Sequence, residues 1–420
     1  MKLLVVGSGG REHAVIRKLK ENKEIEKIYC APGNGGISAD AECVDIKATD
    51  KENMVKFAKE NAIDFCVVTP DDPLALGMVD VMEEAGIPCF GPKANAAIIE
   101  ASKAFSKDLM KKYGIPTADY ETFDNEKDAL HYIEEKNTFP IVIKADGLAL
   151  GKGVLICETL DDAKTALREM MVEHVFGLSG NKVVVEEFMT GKEVSVLAFT
   201  DGNVVKPMIS SMDHKRAYDN DEGLNTGGMG TIAPSPYYTK EIAETCMETI
   251  FLPTVKAMNA EGRTFKGCLY FGLMLTPKGP RVVEYNCRFG DPETQVVLPL
   301  LNSDLLTIMK ACHDGTLKDV DVVWSKEACA CVVEASGGYP VKYEKGFEIH
   351  GLDENGQHDG VIVYHAGTKK ENGKFYTNGG RVLGITAKGA TLQDALDKAY
   401  EAVKEIGFDK MHYRTDIGKK

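Results

Sequence analysis

The sequence is short of several things, and each shortage excludes something. It holds a single tryptophan in 420 residues, and its 11 cysteines are scattered, odd in number and without a CxxC pair. That argues against a disulfide framework or a zinc ribbon and points to reduced core thiols in a cytosolic protein. Cys329 and Cys331, the closest pair, alternate within ACACVV as residues of a strand do. No apolar run approaches the length of a membrane span. The opening MKLLVVGSGGREH lacks the apolar core of a signal peptide. Positive charge is in deficit, with a formal net charge of −14, which disfavours a general nucleic-acid binder. It does not disfavour a phosphorylated small molecule, because local lysines and arginines can hold one inside an acidic protein. Several familiar constellations are also missing. No GK[ST] opens a helix, so there is no Walker A loop. The third glycine of a GxGxxG turn is replaced by Glu12, and APGN stands where a ribose-binding acid would follow, so a dinucleotide site is disfavoured. Nothing resembles a Ser–His–Asp or Cys–His set. Internal repeats and low-complexity linkers are absent.

What is present is a soluble globular composition, 44% hydrophobic and 27% charged, in a chain long enough for three or four modules. Residues 2–100 alternate short apolar strands with helical stretches, which implies a doubly wound parallel sheet. The turn Gly7–Gly10, the loop Pro32–Gly35 and the loop Thr69–Asp72 all fall at carboxyl ends of strands, where such sheets bind ligands. The first is either a tight strand-to-helix turn or a cradle for a small ligand's phosphate. Ser102 caps a helix whose first turn carries Lys103, a place where the helix dipole disfavours a cation unless an anion binds there. FPIVIKADGLALGKGVLIC then sets two strands around a glycine-rich loop, with Lys144 ending the first strand. Such a flap can fold over a triphosphate. Glu186 and Glu187 end the next apolar strand before Phe188, and Glu193 opens a hairpin. Residues 211–236 show no period, and their glycines, Gly227, Gly228 and Gly230, could bring backbone close to a substrate. A helix beginning near 239 is expected to kink at Pro253. From about 326 the pattern becomes a small α+β module, with FEIHG among its strands and Asn378-Gly379-Gly380 as a hairpin turn.

The densest chemistry lies in EYNCRFGDPETQ, residues 284–295. Glu284 and Asn286 are two apart on a strand and share a face. A carboxylate beside an amide oxygen suits Mg²⁺, and Arg288 adds a fork for a carboxylate or phosphate.

The order of Lys144, the flap, Glu186-Glu187-Phe188, Glu193 and Glu284-x-Asn286 resembles the ATP-grasp ligases. At finer grain GSGGREHA, APGNGG, SKAFSKD, DHKR, NTGGMG, RFGDPETQ, HAGTK and TNGGRVL make the chain similar, over nearly its whole length, to the phosphoribosylamine–glycine ligase family. The resemblance implies an N-terminal α/β (pre-ATP-grasp) domain over 1–101, an ATP-grasp domain over 102–325 with its lid at about 121–189, and a C-terminal α+β domain over 326–420. It implies joining glycine to phosphoribosylamine with ATP, through glycyl phosphate, in the cytoplasm, by a monomer or weak homo-oligomer. By the same resemblance Lys103, Lys144, Gly151 and Gly153 would hold phosphates, and Glu186, the Glu187–Phe188 backbone and Glu193 the nucleoside. Glu284 and Asn286 would hold Mg²⁺ or Mn²⁺. Gly9, Gly10, Asn34, Gly35 and Asp291 would bind the phosphoribosyl substrate. Arg288, Asp213 and Lys215 would seat glycine and the growing amide. Tyr270 stands where many ATP-grasp enzymes place a second metal carboxylate.

Overall fold

Buried parallel strands read as continuous apolar runs, and Lys2–Gly7 (KLLVVG) is buried at all but its first residue. It lies at the centre of a five-stranded parallel sheet, flanked by Lys27–Pro32 and Phe65–Val68, with the two-residue strands Glu42–Cys43 and Cys89–Phe90 at the edges. This is the doubly wound arrangement that the alternating pattern predicts. The computed structural model describes residues 1–148 and 153–419. Among them no helix is long and apolar enough to cross a membrane.

Two antiparallel sheets follow. The first orders its strands Tyr120–Phe123, Val183–Glu187, Ile141–Ala145 and Val154–Cys157. The helices Glu126–Lys136 and Leu160–Met171 bury Ala129, Ile133, Ala163 and Leu167 against it, in a core of its own. The second orders Val205–Pro207, Lys192–Thr200, Gly267–Thr276 and Gly279–Asn286. Its core is continuous with the N-terminal sheet: Leu4 and Val6 share one cluster with Val194, Leu269 and Phe271.

The C-terminal sheet is built on Ala328–Ser336 and Arg381–Gly389, with Ile362–His365 outside and the helix Leu392–Val403 packed on one face. It also takes strands from far upstream. Met212–Asp213 pairs with Gly230–Ala233, which pairs with Ala328–Ser336. The stretch 211–236, which shows no period, thus contains four short strands, too brief to display one. FEIHG is not a strand; Glu348 and His350 make only isolated bridges, to Tyr376 and Gly407. Asn378-Gly379-Gly380 is not a hairpin turn either. The strand before it, Lys374–Thr377, pairs with Thr368–Glu371, while the strand after it belongs to the main sheet. Instead Gly379 packs on Gly367, where an added Cβ would meet Gly367 Cα at 2.9 Å. The helix after 239 runs through one wide turn, Met247–Phe251, before Leu252–Ala260. Pro253 lies in the first turn after it, where a missing N–H is tolerated.

Candidate active site

The strand Gly279–Asn286 carries the site's centre. Its pairing with Gly267–Thr276 slips between Leu273↔Val282 and Gly272↔Glu284, leaving Val283 as the extra residue of a bulge. Bulges re-aim side chains. Here the bulge turns Glu284 toward three lysines and leaves the Val283 carbonyl to accept from Lys144 Nζ at 3.2 Å. The Glu284 side chain is 34% exposed and 3.7 Å from Lys215 Nζ. Burial works to raise its pKa, but Lys215, Lys144, Lys103 and Arg288 outweigh it and hold the carboxyl below the usual glutamate value. Asn286 commits Nδ2 to its neighbour's carbonyl, Tyr285 O, at 2.7 Å, which leaves Oδ1 for a cation. Among the described residues no three His, Cys, Asp or Glu side chains converge. An ionised carboxylate and one amide oxygen fit Mg²⁺ or Mn²⁺, whose remaining ligands are waters and phosphate oxygens, and do not fit structural zinc.

Lys103 and Lys144 come from the helix Lys103–Tyr113 and the strand Ile141–Ala145, and Lys215 lies between the strands Met212–Asp213 and Arg216–Tyr218. Ser102 caps that helix as expected, accepting from Phe105 N–H at 3.1 Å. Lys103 Nζ donates to Gly147 O at 2.9 Å, at the start of the flap, and burial pulls its pKa down. Lys144 Nζ lies 3.0 Å from Glu186, whose other oxygen is 3.2 Å from Lys107. All three of these side chains are buried. Burial, opposed by Glu186, brings Lys107 down to about 8. Glu187 is exposed, 3.4 Å from Arg281, and its N–H donates to Asp119 O; Phe188 is half-buried beside it. Glu193 is 3.5 Å from Lys215. Of the flap, the Gly153 carbonyl accepts from Ala145 N–H at 2.8 Å. Gly151 lies outside the described residues.

Just past the strand end, Arg288 Nη2 is 3.0 Å from buried Glu100, whose other oxygen accepts from Cys287 N–H at 2.8 Å. Burial works against the guanidinium's charge, but Glu100 outweighs it and the pKa is raised. Asp213 faces Gly228, where an added Cβ would meet its carboxylate at 2.6 Å and Pro292 at 2.5 Å. At a φ of +123° this position requires glycine twice over. Burial first, then Glu293, push the Asp213 carboxyl well up, against Lys215 and Arg381. The glycines of 225–230 therefore bring backbone against the protein's own Arg381, Asp213 and Ile417. Tyr270 sits opposite Asn286 and joins its hydroxyl to Ser195 Oγ at 2.8 Å and Glu293 Oε1 at 3.0 Å.

The N-terminal loops meet this region. Gly9 N–H donates to Glu12 Oε2 at 2.6 Å, so Glu12 caps its own helix where a third fingerprint glycine would stand. An added Cβ on Gly9 would lie 3.3 Å from Asp291, and one on Gly10 would lie 2.6 Å from Gln295. Asp291 accepts from Arg11 N–H at 3.2 Å and pairs with Arg381 at 3.4 Å. Asn34 Nδ2 donates to Ser8 O and to His365 O at 2.9 and 2.8 Å, and Gly35 lies against the Lys369 backbone.

Three family models tile this chain. They are the phosphoribosylglycinamide synthetase N domain over residues 1–100, its ATP-grasp (A) domain over 101–294 and its C domain over 329–420. The chain belongs to the phosphoribosylglycinamide synthetase family. Phosphoribosylamine–glycine ligases of Caldanaerobacter subterraneus and Clostridium acetobutylicum are 49% and 48% identical to it, with 99% and 100% of both chains covered. The crystal structure of a phosphoribosylamine–glycine ligase from Thermotoga maritima superposes with a TM-score of 0.88 at 32% identity, covering 100% of each chain. The biotin carboxylase domain of Hydrogenobacter thermophilus 2-oxoglutarate carboxylase, at a TM-score of 0.75 and 18% identity, shares the fold alone.

Around this candidate site the structure also gathers Lys107, Glu100, Ser195, Glu293, Arg381 and Arg11, to which the sequence alone assigns no role. Lys107 had a signal: it lies one turn after Lys103 on the same helix face. Glu293 had one too, inside the densest polar stretch. Glu100 ends an apolar helix 187 residues before its partner Cys287, and nothing local marks it.

Proposed function

We propose that the chain joins glycine to 5-phospho-β-D-ribosylamine with ATP, giving glycinamide ribonucleotide, ADP and phosphate. One observation carries the reading. Lys103 and Lys144 act on Glu284 at a strand end, and Lys215 and Arg288, the latter four residues on in the chain, complete the cations around it. The first group suits a triphosphate and the second a small carboxylate. The relatives matched over 99% and 100% of their length are phosphoribosylamine–glycine ligases, which supports glycine as that carboxylate.

In this reading Lys103, Lys144 and the flap glycines Gly151 and Gly153 lie along the phosphates. Glu186, the Glu187–Phe188 backbone and Glu193 flank the nucleoside. Glu284 and Asn286 would hold Mg²⁺ or Mn²⁺, which when bound neutralises charge on the phosphate oxygens. Arg288, with Asp213 and Lys215, seats glycine so that a carboxylate oxygen attacks the γ-phosphorus and ADP leaves. The amine of phosphoribosylamine, held by Gly9, Gly10, Asn34, Gly35 and Asp291, then attacks the carbonyl carbon of glycyl phosphate. The C–N bond forms, inorganic phosphate leaves and the amine loses a proton. No enzyme nucleophile is required; positioning and charge neutralisation suffice. Glycyl phosphate is an acyl phosphate prone to hydrolysis, which gives the flap a chemical reason to exclude water.

The test is phosphate release from ATP with glycine, with and without phosphoribosylamine. Glycine-dependent release with product formation is expected. Release with bicarbonate and none with glycine would place the chain with the carboxylases that share its fold.

A further inference from the structure

The C-terminal tail, from the strand Met411–His412 through Gly418, runs along the back of the hairpin that follows Asp213 and Lys215. That hairpin pairs Arg216–Tyr218 with Glu222–Asn225, and every residue of its second strand is exposed. An isolated two-stranded hairpin is marginal in water. Something must hold it if Lys215 is to keep its place 3.5 Å from Glu193 and 3.7 Å from Glu284.

The tail supplies the holding groups. Arg414 is fully buried. Its Nε and Nη2 donate to the two oxygens of Asp416 at 2.8 and 2.9 Å, a fork-to-fork pair. Its Nη1 donates to the carbonyl of Arg216, the residue next to Lys215, at 3.1 Å and to Asp221 at 3.2 Å. Further bonds cross on both sides. His412 Nε2 donates to Ala217 O at 2.6 Å, Thr415 N–H to Asp219 at 2.8 Å and Asn220 N–H to Asp416 at 2.9 Å. Gly418 N–H donates to His214 Nε2 at 3.1 Å, and His214 Nδ1 donates to Gly230 O at 3.1 Å. The Arg414 carbonyl is itself fixed by Tyr400 Oη at 2.8 Å. A buried guanidinium keeps its place only when its donors are met, so this pairing has one arrangement rather than many.

We propose that Arg414 is a positioning residue for the site, holding the hairpin so that Lys215 and Asp213 keep their aim. The tail then acts mainly on the acceptor side of the reaction, because Lys103, Lys107, Lys144 and Glu186 are held by partners that the tail does not touch. The proposal rests on the assignment of Lys215 and Asp213 to glycine and the growing amide.

Three variants test it: Arg414→Met, Arg414→Lys and Asp416→Asn. ATP affinity, glycine KM, kcat and amide hydrogen exchange over residues 213–226 are measured for each. A displacement of about 1 Å at a reacting group lowers rate by roughly a hundredfold. Arg414→Met is expected to lose about tenfold to a hundredfold in kcat/KM for glycine. It should keep ATP affinity within about twofold, a change of no more than about 0.4 kcal/mol. Its hairpin amides should exchange faster. Arg414→Lys, which keeps the charge but not the fork, should recover part of the loss. Asp416→Asn should move the same way to a smaller extent and reads the proposal if Arg414→Met fails to fold. Unchanged hairpin exchange, or ATP affinity falling in step with turnover, would overturn it. If the wild-type protein shows no glycine-dependent phosphate release, the assignment of the reaction fails, while the exchange data still report whether Arg414 braces the hairpin.

Discussion

At the scale of single residues, the strand Ala328–Ser336 contains one group at odds with its surroundings. Glu334 is fully buried, and neither carboxyl oxygen has a hydrogen-bond partner. Burial alone pushes its pKa well above the usual glutamate value. The sign of the consequence is fixed. Below about pH 4, glutamate is protonated folded and unfolded, and no penalty exists. As pH rises past the unfolded value the unfolded state releases its proton and the folded state does not, so stability falls. Glu334→Leu should therefore stabilise the protein at pH 8 by on the order of 1–3 kcal/mol, and by clearly less at pH 5. Thermal melts at the two values check this; an equal gain at both would mean that the carboxyl is paired. Periodicity places Glu334 on the strand but cannot say that its face is closed off. That depends on the helix Leu392–Val403, which packs against the same strand.

At the scale of elements, the strand Gly279–Asn286 and the residues just after it carry Glu284, Asn286 and Arg288 within five residues. The period of two was legible and places Glu284 and Asn286 together. The bulge at Val283 was not, because register is set by the partner strand rather than by the bulged sequence. Glu284→Gln keeps the shape and removes the charge that faces three lysines. It should lower kcat by about a hundredfold to a thousandfold with an unchanged melting temperature, as loss of one preorganised electrostatic group does. Near-normal turnover would remove Glu284 from the metal assignment. Glu100→Gln addresses Arg288. It weakens the ion pair to Arg288 while preserving the bond from Cys287 N–H. Glycine KM should rise about tenfold, the equivalent of about 1.4 kcal/mol, with the KM for ATP unmoved. A matching rise for ATP would show that Glu100 supports the strand as a whole.

At the scale of the molecule, several recognisable segments turn out to be joints. His13 of GREHA is buried, donates Nε2–H to Asp40 at 2.9 Å and accepts the N–H of His365, of HAGTK, on Nδ1 at 2.8 Å. Gly36 of APGNGG lies against the same His365, where an added Cβ would be 2.0 Å from the ring. Its φ of −79° suits any residue, so space alone requires glycine. Gly36→Ala should loosen the contact between the N-terminal sheet and the C-terminal domain and cost about 1–3 kcal/mol, as overpacking does. A lower melting temperature and faster proteolysis between the two would be observed; a wild-type melt would mean that the joint has slack. The loop glycines and Asn34 thus have structural partners within the protein, and their proposed contact with a phosphoribosyl group stands beside that role.

The sequence by itself determined the alternation of strands and helices over residues 2–100, the parallel N-terminal sheet, the cap at Ser102, the shared face of Glu284 and Asn286, and the family. These are written in local periods, local caps and short runs of residue types, which need no distant partner to be read. The tertiary structure alone decided that Met212–Asp213 and Gly230–Ala233 complete the C-terminal sheet. It also decided that Glu100 holds Arg288 and that Arg414 lies buried behind the hairpin of Lys215. Those partners are 90 to 200 residues apart in several cases and are selected by which buried charges and open strand edges must be satisfied once the chain is packed. No local pattern encodes that requirement.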